Sequence, residues 1–179
     1  MPAGDTSREP STSTTVLFMD IVRSTAHAAT LGDRAWADVL HRYKAAVRAQ
    51  LTRFDGTEMD DAGDGFFAVF GDPAPAVACA QAVAEAVRPL DLEIRAGAHA
   101  GNCIVVGSKC TGLAVHIGAR LVALAEPGEI VVSERARHGV APGAQVVDRG
   151  LVELRDVPGE WRIFAVTLAP ESTARPKVT

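Results

Sequence analysis

Two aspartates occupy positions where a folded chain ordinarily avoids charge. Asp20 lies inside the apolar run Val16-Leu17-Phe18-Met19-Asp20-Ile21-Val22. Asp64 lies in the turn Ala62-Gly63-Asp64-Gly65, which runs straight into Phe66-Phe67-Ala68-Val69-Phe70. A carboxylate in an apolar strand costs on the order of several kcal/mol unless a counter-charge meets it, and a divalent cation is a common answer. Two such carboxylates, one per strand, suggest a site for two divalent cations, Mg2+ or Mn2+, that bridge a triphosphate. One cation would lower the pKa of an attacking hydroxyl and the other would neutralise a leaving pyrophosphate. Each aspartate alone has a plainer reading, Asp20 as the cap of the following helix and Asp64 as a turn former. Ser24 and Thr25 open that helix, where free backbone N–H groups could receive phosphate oxygens. They are equally good as ordinary N-cap residues.

The elements that must position these groups alternate along the chain. Residues 15–22 predict a strand covered on both faces. Residues 25–51 predict helix, with Trp36, Val39, Leu40, Tyr43, Val47 and Leu51 at three- and four-residue spacings and a break near Gly32-Asp33, where Asp33 is a candidate N-cap. A hairpin follows, residues 57–61 and 65–70, closed by the Gly-Asp-Gly turn. Pro73 and Pro75 open a helix that should end near Pro89. Strands are predicted at 92–100, 103–107, 129–133, 146–148 and 162–168, with a helix over 113–125. The order predicts an α+β fold, a ferredoxin-like βαββαβ sheet with helices on one face and a C-terminal extension. In that plan strand one pairs beside the hairpin, so Asp20 and Asp64 should meet at one sheet edge. Residues 1–14 read as a disordered leader, 15–168 as one catalytic domain and 169–179 as a flexible tail.

Composition bounds the function. The 179 residues suit one domain, and with 47% apolar but only 5% aromatic residues the core must be mainly aliphatic. A net charge of −4 with no basic block argues against bulk nucleic-acid binding. No apolar run approaches the ~18 residues of a membrane span. Three cysteines without a CxxC pair fit a reducing compartment, so a cytoplasmic protein is expected.

Six segments, in order, resemble the catalytic domain of the class III nucleotidyl cyclases. They are Phe18-Met19-Asp20-Ile21-Val22-Arg23-Ser24-Thr25 with Leu31-Gly32-Asp33-Arg34; Gly63-Asp64-Gly65-Phe66; Arg95-Ala96-Gly97-Ala98-His99-Ala100-Gly101; Gly112-Leu113-Ala114-Val115-His116-Ile117-Gly118-Ala119-Arg120; Pro127-Gly128-Glu129-Ile130-Val131-Val132-Ser133; and Pro158-Gly159-Glu160-Trp161. The resemblance implies conversion of a nucleoside triphosphate to its 3′,5′-cyclic monophosphate and pyrophosphate, in a head-to-tail homodimer whose sites are shared between protomers. It implies that Asp20 and Asp64 hold the two metals, with the Ile21 carbonyl as a further ligand; Arg23, beside Ser24 and Thr25, is a further candidate for binding the substrate. It assigns Arg120 to the charge developing on the phosphates. His116 falls where many members position the ribose through an asparagine, and Arg155 lies near a phosphate-binding lysine. The plainer readings are a dimer-contact histidine and a solvated arginine.

The purine-reading positions depart from the adenylate pattern. Asp60 stands where adenylate cyclases carry a lysine, and Lys109 where they carry an aspartate. The exchanged pair could read adenine in reverse, Asp60 accepting from N6–H and Lys109 donating to N1. It could instead read guanine, Asp60 accepting from N1–H and N2–H while Lys109 donates to O6. Base recognition could also be lost, leaving a weakly active or inactive dimerisation or nucleotide-sensing module. The resemblance as a whole favours an adenylate cyclase. A diguanylate cyclase is disfavoured, since Gly65 stands where its turn would carry a second acidic residue.

Overall fold

A computed structural model describes residues 13–168. A seven-stranded sheet has the order β2-β3-β1-β4-β7-β9-β8. Its strands are β1 Ser13–Ile21, β2 Thr57–Asp60, β3 Phe66–Phe70, β4 Ile94–Asn102, β7 Glu129–Ser133, β8 Val146–Glu153 and β9 Glu160–Thr167. All neighbours pair antiparallel except β4 and β7. The helices are α1 Ser24–Leu31, α2 Asp33–Arg53, α3 Pro73–Val87 and α4 Leu113–Leu124, and β5 Ile104–Val106 with β6 Lys109–Thr111 forms a separate hairpin. The mixed α/β plan expected from the sequence is present, with a central, mostly antiparallel sheet flanked by helices.

The period-two alternation of β1 divides the core. Leu17, Met19 and Ile21 pack with Tyr43, Val47 and Leu51 of α2 and with Val77, Ala80 and Val83 of α3. Val16 and Phe18 point the other way, beneath α4. The one-face arrangement therefore holds for α2 and α3 of the βαββαβ core, whereas α4, from the extension, covers the opposite face. Two glycines seat it there. A Cβ on Gly97 of β4 would fall against the backbone of Leu121 and Val122, and one on Gly118 would meet Val16 and Phe18.

Local details correct the sequence reading in four places. Gly32 (φ 79°) is the junction between α1 and α2, and Asp33 is the first residue of α2 rather than its cap. The hairpin between β2 and β3 closes through five residues, 61–65, and β2 carries a bulge between Glu58 and Asp60. The strand expected over 103–107 is present as β5 but is one arm of a hairpin, because Gly107 (φ 59°) reverses the chain and brings Lys109 opposite Val106. The strand expected over 146–148 continues to Glu153. β1 begins at Ser13, and the rest of the expected leader and the tail lie outside the described residues.

Candidate active site

The end of β1 is where the acidic group assembles. β1 pairs with β3 only as far as Met19↔Phe66, but with β4 it continues through Asp20↔Arg95 to Ile21↔Ile94. Its last two residues thus lose their β3 neighbour, and the 61–65 loop folds over the gap. Gly65 N donates to Ala62 O at 3.0 Å, which tightens that loop. A Cβ built on Gly65 would lie 3.8 Å from Met19 O, so the turn passes close over the strand. Asp64 comes within hydrogen-bond reach of Asp20. The sequence expectation that the two meet at one edge agrees with this geometry.

The pair carries an electrostatic imbalance. Burial pushes the Asp20 carboxyl above the usual carboxylate range; a hydrogen bond from Arg95 opposes that, and the Asp64 carboxylate adds to it. Arg95 Nη2 lies 2.9 Å from Asp20 Oδ2, with side chains 36% and 30% exposed. Below them Tyr43 is fully buried, and its hydroxyl has no hydrogen-bond partner among the described residues. Burial and the charges of Asp20 and Asp64 hold that hydroxyl firmly protonated. Two neighbouring carboxylates, only one of them met by a guanidinium, leave a negative excess that divalent cations would relieve, so this donor set fits metal. Among the described residues no group of three or more His, Cys, Asp or Glu side chains gathers to hold an ion alone. Magnesium commonly takes one or two carboxylates and completes its shell with substrate phosphates and water, which suits a site of two aspartates.

The loop carrying Asp64 is braced from α2. Lys44 Nζ bonds the Asp61 carbonyl at 3.2 Å and its carboxylate at 3.1 Å. Arg48 bridges Glu58 and Asp61, each at 2.8 Å. Asp60, exposed, accepts from Asp61 N through its own carboxylate. Asp20 and Asp60 both border a hollow of about 210 Å3 walled by Phe18, Phe66, Phe67 and Val122. The rings of Phe18 and Phe67 stack there at 4.4 Å. The hollow is smaller than the roughly 300–1,000 Å3 of a complete small-molecule site.

Arg23 sits in the left-handed region (φ 53°) at the N-cap of α1, with no side-chain cap bond, and its carbonyl accepts from Ala26 N and His27 N. The N–H groups of Ser24 and Thr25 precede any carbonyl of their own helix. They stand three and four residues after Ile21, just past the end of β1.

A second group forms on α4. Ile117 and Leu121 pack against Leu154 and Val157, which pins the loop between β8 and β9 to the helix. Arg120 Nε donates to Arg155 O at 2.9 Å, and Arg120 Nη2 lies 3.2 Å from Asp156 Oδ2. Arg155 Nε reaches the same oxygen at 3.4 Å. Two arginines singled out 35 residues apart therefore meet. His116 is exposed on α4 one turn before Arg120, and Lys109 is exposed at the start of β6. Asp60 and Lys109 lie on separate hairpins of the protomer.

Three residues that the sequence reading gave no role belong to this picture. Arg95 was signalled by its place in the Arg95–Gly101 segment, where β4 faces β1. Tyr43 showed only as one more apolar position of α2. Asp156 had no signal, since its partner is a helix far away in sequence.

Residues 6–168 match the family model described as the adenylate and guanylate cyclase catalytic domain. The chain belongs to that family, the class III nucleotidyl cyclase catalytic domains. "Putative adenylate cyclase 3" of Rhizobium meliloti (strain 1021) is 29% identical over 147 residues, spanning 76% of this chain and 25% of that protein. The chain thus spans about a quarter of the length of that curated relative. Among solved structures, the adenylyl cyclase CyaB from P. aeruginosa superposes with a TM-score of 0.77 at 22% identity, covering 93% of this chain and 97% of that one. The guanylate cyclase domain of RhGC from Catenaria anguillulae, in complex with GTP, gives 0.77 at 20% identity, covering 87% and 96%. At such identities the structural likeness speaks for the fold. Among the described residues no helix is long and apolar enough to cross a membrane.

Proposed function

We propose that this protein is an adenylate cyclase that converts ATP to 3′,5′-cyclic AMP and pyrophosphate in a head-to-tail homodimer. The observation that carries the reading is the split of charge: carboxylates Asp20 and Asp64 close together at the end of β1, and Arg120 of α4 gathered separately with Arg155 of the β8–β9 loop. A triphosphate needs both kinds of group, and one protomer offers them on different elements. Two protomers related by a twofold axis would bring the acidic group of one to the cationic group of the other, twice.

In this reading Asp20, Asp64 and the Ile21 carbonyl would hold two divalent cations, Mg2+ or Mn2+. Those cations supply Lewis-acid activation of the ribose 3′-hydroxyl and charge neutralisation on the phosphates. The chain's own residues do the rest. Arg23, Ser24 and Thr25 receive phosphate oxygens through side chains and the open first turn of α1. The 3′-oxygen forms its bond to the α-phosphorus as the bond to pyrophosphate breaks. Arg120, supported by Arg155, lies against the charge that develops on the phosphates. His116 donates to the ribose. Asp60 and Lys109 contact the base from the partner, and their exchanged charges favour guanylate cyclase activity as the second reading. The three free cysteines favour a reducing, cytoplasmic setting for residues 15–168 as one catalytic domain.

Incubation with Mn2+ or Mg2+ and ATP, and separately GTP, followed by product identification, tests the proposal. Cyclic AMP from ATP is expected. Cyclic GMP alone moves the assignment to the guanylate reading. No product from either, with a dimer demonstrated, removes the enzyme and leaves a dimerisation or nucleotide-sensing module.

A further inference from the structure

We propose that Asp156 is a positioning residue for Arg120, holding one edge of its guanidinium so that the other edge faces the substrate phosphates; this rests on the cyclase reading above. A guanidinium has two edges that can make paired hydrogen bonds, Nε with Nη2 and Nη1 with Nη2. In Arg120 the Nε–Nη2 edge is taken from within the protomer, by Arg155 O at 2.9 Å and Asp156 Oδ2 at 3.2 Å. The Nη1–Nη2 edge, on a side chain still 38% exposed, is directed away from that anchor.

The loop is built to hold this arrangement. Leu154 and Val157, both buried, bracket Arg155 and Asp156 and pack on Ile117 and Leu121 of the helix that carries Arg120. Val157 N donates to Leu154 O at 3.0 Å, closing the turn. Asp156 itself sits at φ 61°, the left-handed region that glycine adopts without strain and aspartate tolerates. A side chain kept there, where glycine would serve the backbone better, is explained by the carboxylate. That carboxylate also meets Arg155 Nε at 3.4 Å, so one oxygen keeps two like-charged guanidinium groups together before any phosphate arrives.

The left-handed backbone also supplies a clean test. Asp156→Gly removes the carboxylate without straining the turn, and Asp156→Asn keeps an acceptor while removing the charge. With the triphosphate that the wild type turns over, Asp156→Gly is expected to lower kcat about 10- to 30-fold with KM within twofold, because a misoriented catalytic group costs up to about a hundredfold. Asp156→Asn should fall between it and wild type. In the free protein, hydrogen exchange of the Arg120 Nε–H, followed by 15N–1H spectra, should accelerate at least fivefold in Asp156→Gly. Unchanged kcat in Asp156→Gly overturns the proposal. So does a raised kcat or lowered KM, which would mean that the carboxylate competes with substrate. If the wild type is inactive, or Arg120→Ala is as active as wild type, the cyclase reading fails first. The exchange measurement then decides alone, acceleration supporting the anchoring by Asp156 and unchanged exchange overturning it.

Discussion

The acidic group at the end of β1 and the cationic group on α4 are held by different physics. Asp20 and Arg95 face each other because a strand register puts them there, and the 61–65 turn beside β1 is closed on itself by the bond from Gly65 N to Ala62 O. Arg120, Arg155 and Asp156 meet because apolar side chains dock a loop on a helix and left-handed backbone aims the carboxylate. Backbone ladders fix position stiffly, whereas a docked loop can be loosened by one side chain. The placement of Asp20 should therefore resist changes outside β1 and β4, whereas Asp64 depends on the Lys44 and Arg48 bonds that brace its loop. The cationic group should also respond to changes in its support.

The largest effect tests that first half. Asp20→Ala or Asp64→Ala should lower turnover by more than about a thousandfold, since a divalent-metal site cannot form on one carboxylate. Circular dichroism and thermal melting should show a retained fold, because both side chains are partly exposed. Near-normal turnover in either variant would remove the metal role of the pair.

Next comes the seat of α4. Gly97→Ala drives a methyl group against the backbone at Leu121 and Val122, next to Arg120. Overpacking of this kind costs about 1–3 kcal/mol, visible in urea unfolding. Turnover should fall while binding of Mn2+ at the β1 end, followed by electron paramagnetic resonance, stays near wild type. Loss of both together would show that the two groups are not independently supported.

The smallest effect lies between the groups. His99 of β4 is 1% exposed, its Nδ1 is 2.7 Å from Ser133 Oγ and its ring meets Trp161 edge-on. Burial, with the charge of Arg135 adding to it, lowers its pKa to about 4. The native state keeps this ring neutral while the unfolded chain, with a pKa near 6.5, takes up a proton. The stabilisation from this group is therefore whole above pH 6.5 and is lost as pH falls toward 4. At pH 5 that is about 2 kcal/mol. Urea unfolding at pH 7.5 and 5 should show the loss in wild type and a shallower one in His99→Gln. Equal losses in both would assign the pH dependence to other groups.

How much could be read from the chain follows the same division. The pairing of β1 with the hairpin was legible because alternation in Val16–Ile21 and the glycines around Asp64 are local signals with one topological solution. Arg120 was legible through its segment, and so was the break at Gly32. The face taken by α4 was not, because it depends on where Gly97 and Gly118 allow a close approach. Asp156 was illegible for a related reason: its role arises from a contact across 36 residues that no period or spacing announces. The return strand of the hairpin at 104–111 was missed because Lys109-Cys110-Thr111 is short and polar and reads as loop.

The central claim is that these two groups act together across two protomers. Mixing Asp20→Ala with Arg120→Ala protein, each inactive alone, tests it most directly. Random exchange makes half of the dimers mixed, and each mixed dimer keeps one of its two sites whole. The account predicts recovery to roughly a quarter of wild-type activity on that arithmetic. Activity that stays at the level of the separate variants, after subunit exchange has been demonstrated, would contradict it.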